Sequence, residues 1–294
     1  MRKAHIIFIH GISDRVITGN YSGALAENIV SRIKQKISPD IMLEDYLTFE
    51  NINYSEIGQA EEDYVYRAYL KDSGDEYNIL DKTIERLALG NLRKELITSI
   101  SDVLAYESDF WREKIRDTVR DKITPFVGTD TMLTVVGHSL GSVVGFDTLY
   151  YNCRHNDLWC NQAFKVHNFY TMGSPLALFT LELDNTTGEQ KPRYIPLENM
   201  PPEMDPRNTN PDLRFLDENG EWVNFYDAQD LIGYPLATLF KDKFFVQDHL
   251  IQTGTNPVTA HNKYWENDTI ADQIANKVFS DMNTAVANSR GKLV

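Results

Sequence analysis

The sequence contains only two cysteines, Cys153 and Cys160, in a chain of 294 residues. Two cysteines are too few for a disulfide framework, and this pair lacks partners at the spacing that metal ligands require. We therefore expect reduced thiols and a cytoplasmic location.

Long apolar runs are also absent from the chain. A helix that spans a bilayer needs roughly 20 consecutive apolar residues, and no stretch approaches this length. The N-terminal stretch MRKAHIIFIHGIS has a basic start, but its apolar run is only about five residues and no small-x-small cleavage site follows. We interpret it as a buried strand of a soluble protein and not as a secretory signal.

Positive charge is scarce. The chain has 29 lysines and arginines against 43 aspartates and glutamates, which gives a net charge of −14. Such a charge repels phosphate backbones and anionic head groups, and no Lys/Arg-rich run reverses it locally. The composition therefore argues against nucleic acid as a partner.

Strand-like and helix-like segments alternate along the chain. The run HIIFIHG (5–11) and the run TMLTVVGHS (131–139) are apolar and β-branched, which is typical of strands buried on both faces. Residues 23–37, 142–153 and 268–288 carry apolar residues at helical spacing. This alternation predicts an α/β fold in which helices cover both faces of a mainly parallel sheet, with the functional site at the carboxyl ends of the strands. We expect residues 1–294 to form a single domain.

Other segments predict less regular structure. Residues 41–54 indicate a second strand or a hairpin, and residues 213–230 indicate a hairpin that turns at Glu218-Asn219-Gly220. Residues 56–108 are charged and Leu-rich, so we expect a helical insertion that serves either as a lid or as a structural cover. Residues 184–213 are rich in proline and asparagine, which predicts a long surface loop.

The pattern Gly137-His138-Ser139-Leu140-Gly141 lies between a predicted strand and a predicted helix. A nucleophilic serine must project from a tight turn, close to helix N–H groups that stabilise developing negative charge. The two glycines give the turn the room that it needs. The context predicts that Ser139 is a nucleophile, against the simpler interpretation of an incidental serine in a glycine-rich turn.

The motif and its flanks resemble the nucleophile elbow of α/β-hydrolases of the lipase and esterase kind. The stretch FIHGIS resembles the oxyanion turn of that family, and the resemblance implies that the backbone N–H groups of Ile12 and Leu140 form the oxyanion hole. Here Gly11-Ile12 replaces a Gly-Gly-Gly run. The chain starts at the strand that carries His10-Gly11, so we expect a doubly wound α/β-hydrolase sheet that lacks the family's first two strands.

The family's chain order, Ser then Asp or Glu then His, leaves His249 and His261 as candidates for the base. The stretch AHNKYW resembles a His-x-x-Tyr-Trp pattern of lipase-like members, which favours His261. The stretch YDAQDLIGYPL resembles the family's pattern of an aspartate followed by an aliphatic residue and a proline. This favours Asp230 as the acid, with Asp227 as the alternative.

The resemblance implies a serine hydrolase that cleaves carboxylic esters of small molecules or lipids, without a metal or an organic cofactor. Three alternatives stay open. The first is a phospholipase or thioesterase that docks on lipid through the apolar stripe of residues 84–97, although a buried core explains this stripe better. The second is a serine peptidase or amidase, and the third is a non-catalytic binding protein with the same fold.

Overall fold

A computed structural model describes most of the chain. The described residues are 1–11, 20–54, 106, 109–179, 181–183, 192–194, 215–237 and 246–290. Three of the predicted features lie outside these ranges: Ile12, the stripe of residues 84–97, and the insertion 56–108 except for Tyr106.

Eight strands and seven α-helices are found in these residues. The strands are β1 (Ala4–Ile9), β2 (Leu47–Ile52), β3 (Met132–His138), β4 (Val166–Met172), β5 (Leu181–Leu183), β6 (Pro192–Tyr194), β7 (Leu216–Tyr226) and β8 (Gln247–Leu250). The helices are α1 (Gly23–Lys34), α2 (Asp109–Ile123), α3 (Leu140–His155), α4 (Asp157–Asn161), α5 (Leu176–Phe179), α6 (Pro257–Asn262) and α7 (Asp268–Arg290).

Six of the strands form one sheet in the order β2-β1-β3-β4-β7-β8, and every pair in it is parallel. All residues of β1 and β3 are buried, as their continuous apolar sequences predict for strands covered on both faces. Helices α1 and α7 pack on one face, where Ile29 and Ile274 belong to one apolar cluster. Helices α2 and α3 cover the other face, where Val119 and Val143 belong to a second cluster.

The predicted mainly parallel, doubly wound sheet is therefore confirmed, and its strand order is that of an α/β-hydrolase fold. Within the described ranges β2 forms one edge of the sheet and β1 lies next to it, with no further strand beyond β2.

The hairpin predicted for residues 213–230 is wrong. Strand β7 runs without reversal from Leu216 to Tyr226 and pairs in parallel with β4 at Leu216 and again from Glu221 to Phe225. Val166 lies opposite Leu216 and Asn168 lies opposite Glu221, so four residues of β7 bulge opposite one residue of β4. The side chain of Asp217 accepts a hydrogen bond from the N–H of Asn219 (3.0 Å) inside this bulge. The turn-forming residues thus form a bulge within the strand, and the strand continues after it.

Two further segments are now defined. Of residues 41–54, Leu47–Ile52 form strand β2, which pairs in parallel with β1, so the segment is a strand and not a hairpin. Of the predicted loop 184–213, only Pro192–Tyr194 are described, and they pair antiparallel with β5 in a separate two-stranded sheet.

Candidate active site

Ser139 occupies a tight turn between the end of β3 and the start of α3. Its backbone has φ +52° and ψ −130°, a region that residues other than glycine rarely adopt. The N–H of Ser139 donates to the carbonyl of Met172 at 2.9 Å, and the Ser139 carbonyl accepts from the N–H of Ser142 at 3.0 Å. These bonds at both ends of the residue hold the turn in its uncommon conformation.

The turn packs directly against the end of β1. A Cβ added to Gly141 would lie 2.2 Å from the carbonyl oxygen of His10, and a Cβ on Gly11 would lie 2.5 Å from the Cβ of Ser139. Glycine is needed at both positions because any side chain would push the two loops apart. Gly11 and Gly141, which belong to separate sequence motifs, thus allow the end of β1 to pack directly against the turn at Ser139.

A chain of hydrogen bonds joins the three residues that the sequence favours. The hydroxyl of Ser139 lies 2.9 Å from Nε2 of His261. Nδ1 of His261 lies 3.0 Å from both carboxylate oxygens of Asp230. A carboxylate only accepts, so Nδ1 carries the imidazole proton and Nε2 is left to accept from the Ser139 hydroxyl.

These side chains come from three segments, each of which follows a strand of the main sheet. Ser139 follows β3, Asp230 lies in the loop after β7, and His261 lies in α6 beyond β8. Because β3, β7 and β8 run parallel in one sheet, the segments that follow them meet at its carboxyl edge, where α/β proteins place their sites.

Asp230 is surrounded by donors. Its side chain is completely buried and accepts from the N–H of Ile232 and from the hydroxyl of Tyr264, each at 2.9 Å, in addition to His261. Burial by itself raises the pKa of this carboxyl, but the hydrogen bonds and the charge of His261 outweigh burial, and the pKa is lowered. The carboxyl of Asp230 is therefore ionised at neutral pH.

Asp227 lies in the same loop but serves another partner. Its carboxylate accepts from the N–H of Thr253 at 2.6 Å and from the N–H of Gln229 at 2.8 Å. Burial opposes these bonds, and the pKa of Asp227 is nevertheless lowered. Thr253 also lies 2.6 Å from the carbonyl of Ala260, the residue before His261. The structure thus brings Asp230 to the imidazole and uses Asp227 to fasten the turn at Thr253.

The alternative base is found elsewhere. His249 lies within strand β8, at the edge of the sheet, and its ring meets Phe225 edge-on at 5.6 Å. Of the two candidate histidines, it is His261 that contacts Ser139.

The predicted oxyanion hole is described on one side only, because Ile12 lies outside the described residues. Leu140 is the first residue of α3, so its N–H is among those that have no acceptor within the helix, and it lies at the positive end of the helix dipole. On the other side, Tyr54 stacks on the ring of His10 at 4.5 Å and donates its hydroxyl to the His10 carbonyl at 2.8 Å. Burial lowers the pKa of His10, which keeps this ring neutral.

Two residues that hold this site, Tyr264 and His138, were not predicted from the sequence. Tyr264 accepts from the N–H of Asp227 at 2.9 Å and donates to Asp230. His138 lies 2.8 Å from the carbonyl of His261 through its Nε2. A signal was present for Tyr264, because it follows His261 by three residues and thus returns to the same side of a helical turn.

The part of the chain that the structure describes contains neither a metal-binding cluster nor a membrane-spanning helix. It holds no group of three or more His, Cys, Asp or Glu side chains that could bind a metal ion. Its helices are also too short or too polar to cross a bilayer.

No protein-family model matches the chain, and no curated protein matches it in sequence. Among solved structures, a predicted CIB-like hydrolase from Thermoplasma acidophilum is similar at 12% identity, over 95% of this chain and 87% of that one, with a TM-score of 0.40. An acetyl xylan esterase is similar at 13% identity, over 96% and 100% of the two chains, also at 0.40. Est1E from Butyrivibrio proteoclasticus is similar at 12% identity, over 94% and 89%, at 0.40. These likenesses are remote. The fold of the chain itself, a parallel six-stranded sheet with helices on both faces, fits an α/β-hydrolase fold.

Proposed function

We propose that this protein is a serine hydrolase that cleaves carboxylic esters through an acyl-enzyme on Ser139. The observation that carries the proposal is the hydrogen-bonded chain from Ser139 through His261 to Asp230, with distances of 2.9 Å and 3.0 Å. A serine hydroxyl is a weak nucleophile unless a base within hydrogen-bond reach removes its proton, and this base in turn needs an orienting carboxylate.

In the first half of the proposed reaction, Oγ of Ser139 bonds to the ester carbonyl carbon while Nε2 of His261 takes the hydroxyl proton. The carbonyl oxygen becomes an oxyanion, which the N–H groups of Leu140 and Ile12 stabilise. The intermediate collapses, the bond to the alcohol oxygen breaks, and His261 gives its proton to the leaving alcohol. Ser139 then carries the acyl group as an ester.

In the second half, water gives a proton to His261 and its oxygen attacks the acyl carbon. The tetrahedral intermediate collapses, the bond to Oγ breaks, and His261 returns the proton to Ser139, which releases a carboxylic acid. Throughout both halves Asp230 stays ionised, holds the proton on Nδ1 and stabilises the imidazolium. The cycle calls for neither a metal nor an organic cofactor.

The substrate class is proposed as small-molecule or lipid esters. A panel of esters, thioesters, phospholipids and amides with matched acyl groups tests this choice. We expect the short p-nitrophenyl esters to be cleaved, and cleavage of amides alone would replace the esterase by a peptidase or amidase.

The decisive experiment is labelling with a fluorophosphonate probe followed by intact mass. We expect a single adduct on the wild-type protein and none on Ser139→Ala. His261→Ala should also lose labelling, whereas His249→Ala, the matched control, should retain it. Wild-type protein without an adduct, or Ser139→Ala with full esterase activity, would contradict the proposal and favour a non-catalytic binding protein.

A further inference from the structure

A second histidine, His138, lies beside the imidazole of His261. The centroids of the two rings are 5.0 Å apart, and Nε2 of His138 is 2.8 Å from the main-chain carbonyl oxygen of His261. A carbonyl oxygen only accepts hydrogen bonds, so Nε2 of His138 must carry a proton. The ring therefore donates to the main chain of the residue whose side chain contacts Ser139.

The carbonyl that accepts this bond lies at the end of a short helix. His261 is the last residue but one of α6, which has six residues (Pro257–Asn262). The last four carbonyls of a helix have no donor within it, so the position of His261 depends on partners outside α6. His138 provides such a partner from the end of β3, an interior strand of the sheet.

Two hydrogen bonds join the adjacent residues His138 and Ser139 to His261, one at its main chain and one at its ring. His138 holds the main chain of His261, and the next residue, Ser139, contacts the side chain of His261 at 2.9 Å. Asp230 fixes the opposite ring nitrogen. A shift of α6 away from the sheet would break the bond to His138 and lengthen the distance from Nε2 of His261 to the Ser139 hydroxyl at the same time.

His138 is also placed to stay neutral. It is buried, and the rings of Tyr264 and Trp265 lie 5.6 Å and 5.5 Å from its own. Burial and then the neighbouring His261 lower the pKa of His138 to about 3, and of the other groups that face it, Asp230 raises this pKa and His10 lowers it. A neutral ring avoids a positive charge next to the imidazolium that His261 forms in the reaction.

We propose that His138 is a positioning residue, whose Nε2–H donates to the His261 carbonyl and thereby keeps the His261 imidazole within reach of the Ser139 hydroxyl. The inference rests on the proposed hydrolase function, because His138 acts only through His261.

The test compares His138→Phe, which keeps a ring but removes the donor, with His138→Gln, whose amide N–H can reach the same carbonyl. We expect His138→Phe to lower kcat and the rate of fluorophosphonate labelling by about 10- to 100-fold with KM nearly unchanged, because a small displacement of the base is costly. His138→Gln should recover most of this loss.

His5→Phe is the matched control. His5 is also buried, it lies near the start of β1, and it makes one short bond to the Thr48 hydroxyl at 2.6 Å. The same substitution there should lower the melting temperature without changing kcat. A merely structural role for His138 would give this second pattern.

Labelling of His138→Phe at the wild-type rate would overturn the inference while leaving the proposed function intact. Wild-type protein that takes no label would overturn both. If His138→Phe does not fold, nitrogen NMR of histidine-labelled wild-type protein decides. We expect the ring of His138 to stay neutral, with its proton on Nε2, from pH 5 to 8. A ring with the proton on Nδ1 at this position, or titration within that range, would also refute the role.

Discussion

The clearest quantitative test of the site replaces each of its two aspartates by asparagine. In Asp230→Asn one of the two oxygens becomes an NH₂ group. At Oδ1 this group would face the N–H of Ile232, and at Oδ2 it would face the hydroxyl of Tyr264, both of which donate at 2.9 Å. Nδ1 of His261 would also lose one of its two contacts with the carboxylate oxygens, each at 3.0 Å, or the ring would carry its proton on Nε2 in place of Nδ1.

We therefore expect kcat to fall by about 10³- to 10⁴-fold in Asp230→Asn, which corresponds to about 4–5.5 kcal/mol of transition-state stabilisation. Asp227→Asn removes an acceptor from the Thr253 N–H at 2.6 Å and leaves the His261 contacts in place. It should lower the free energy of unfolding by about 1–3 kcal/mol and change kcat by less than about tenfold.

The assay is steady-state hydrolysis of a p-nitrophenyl ester, with urea unfolding of each variant measured in parallel. Urea unfolding separates a loss of folded protein from a loss of chemistry. If Asp227→Asn lost more kcat than Asp230→Asn, the assignment of the acid would be refuted.

Three further perturbations test the packing and the charges. Gly141→Ala would place a Cβ 2.2 Å from a backbone oxygen, so we expect urea unfolding to show that the free energy of unfolding falls by at least about 3 kcal/mol. Gly145→Ala in the same helix is the control. Its Cβ meets only side chains, the nearest at 3.2 Å, so its free energy of unfolding should stay within about 1 kcal/mol of wild type. Tyr264→Phe removes the phenol donor of Asp230, so the pKa of this carboxyl should rise, and carboxylate infrared or NMR titration should detect the change. The pKa of His138 is lowered from 6.5 to about 3, so its folded form binds no proton between these values while the unfolded chain does. The contribution of neutral His138 to the free energy of unfolding is therefore fully present above pH 6.5 and should be lost as the pH falls towards 3, by up to about 1.4 kcal/mol per pH unit. Urea unfolding of His138→Phe at several pH values should show a weaker pH dependence, because the unfolded chain takes up one proton fewer.

The sheet was predictable where local sequence determines burial. The runs in β1 and β3 are apolar and β-branched, and both strands lie inside the sheet. The hairpin prediction failed at β7 because the sequence Asp217-Glu218-Asn219-Gly220 indicates a local turn but not whether the chain reverses there. Whether it reverses depends on the segment that the following residues pair with, and here that segment is β4, about fifty residues earlier in the chain.

Part of the site was predictable for a similar reason. A strand, a Gly-x-Ser-x-Gly turn and a helix are local features, and they correctly placed Ser139 at the carboxyl edge of the sheet. The choice between Asp227 and Asp230 was not local, because the two residues share one turn. In the structure the two side chains have different partners, Thr253 at Asp227 and Tyr264 at Asp230, and both partners come from later parts of the chain.

Tyr264 links the two aspartates of this loop. Its phenol oxygen accepts from the main-chain N–H of Asp227 and donates to the carboxylate of Asp230, at 2.9 Å in each case. Burial raises the pKa of Tyr264, so the phenol keeps the proton that the second bond requires. One buried hydroxyl therefore fixes the start of the loop and orients the carboxylate at its far end. Because Tyr264 follows His261 by three residues, the segment that carries His261 also positions Asp230, the carboxylate that the His261 ring contacts.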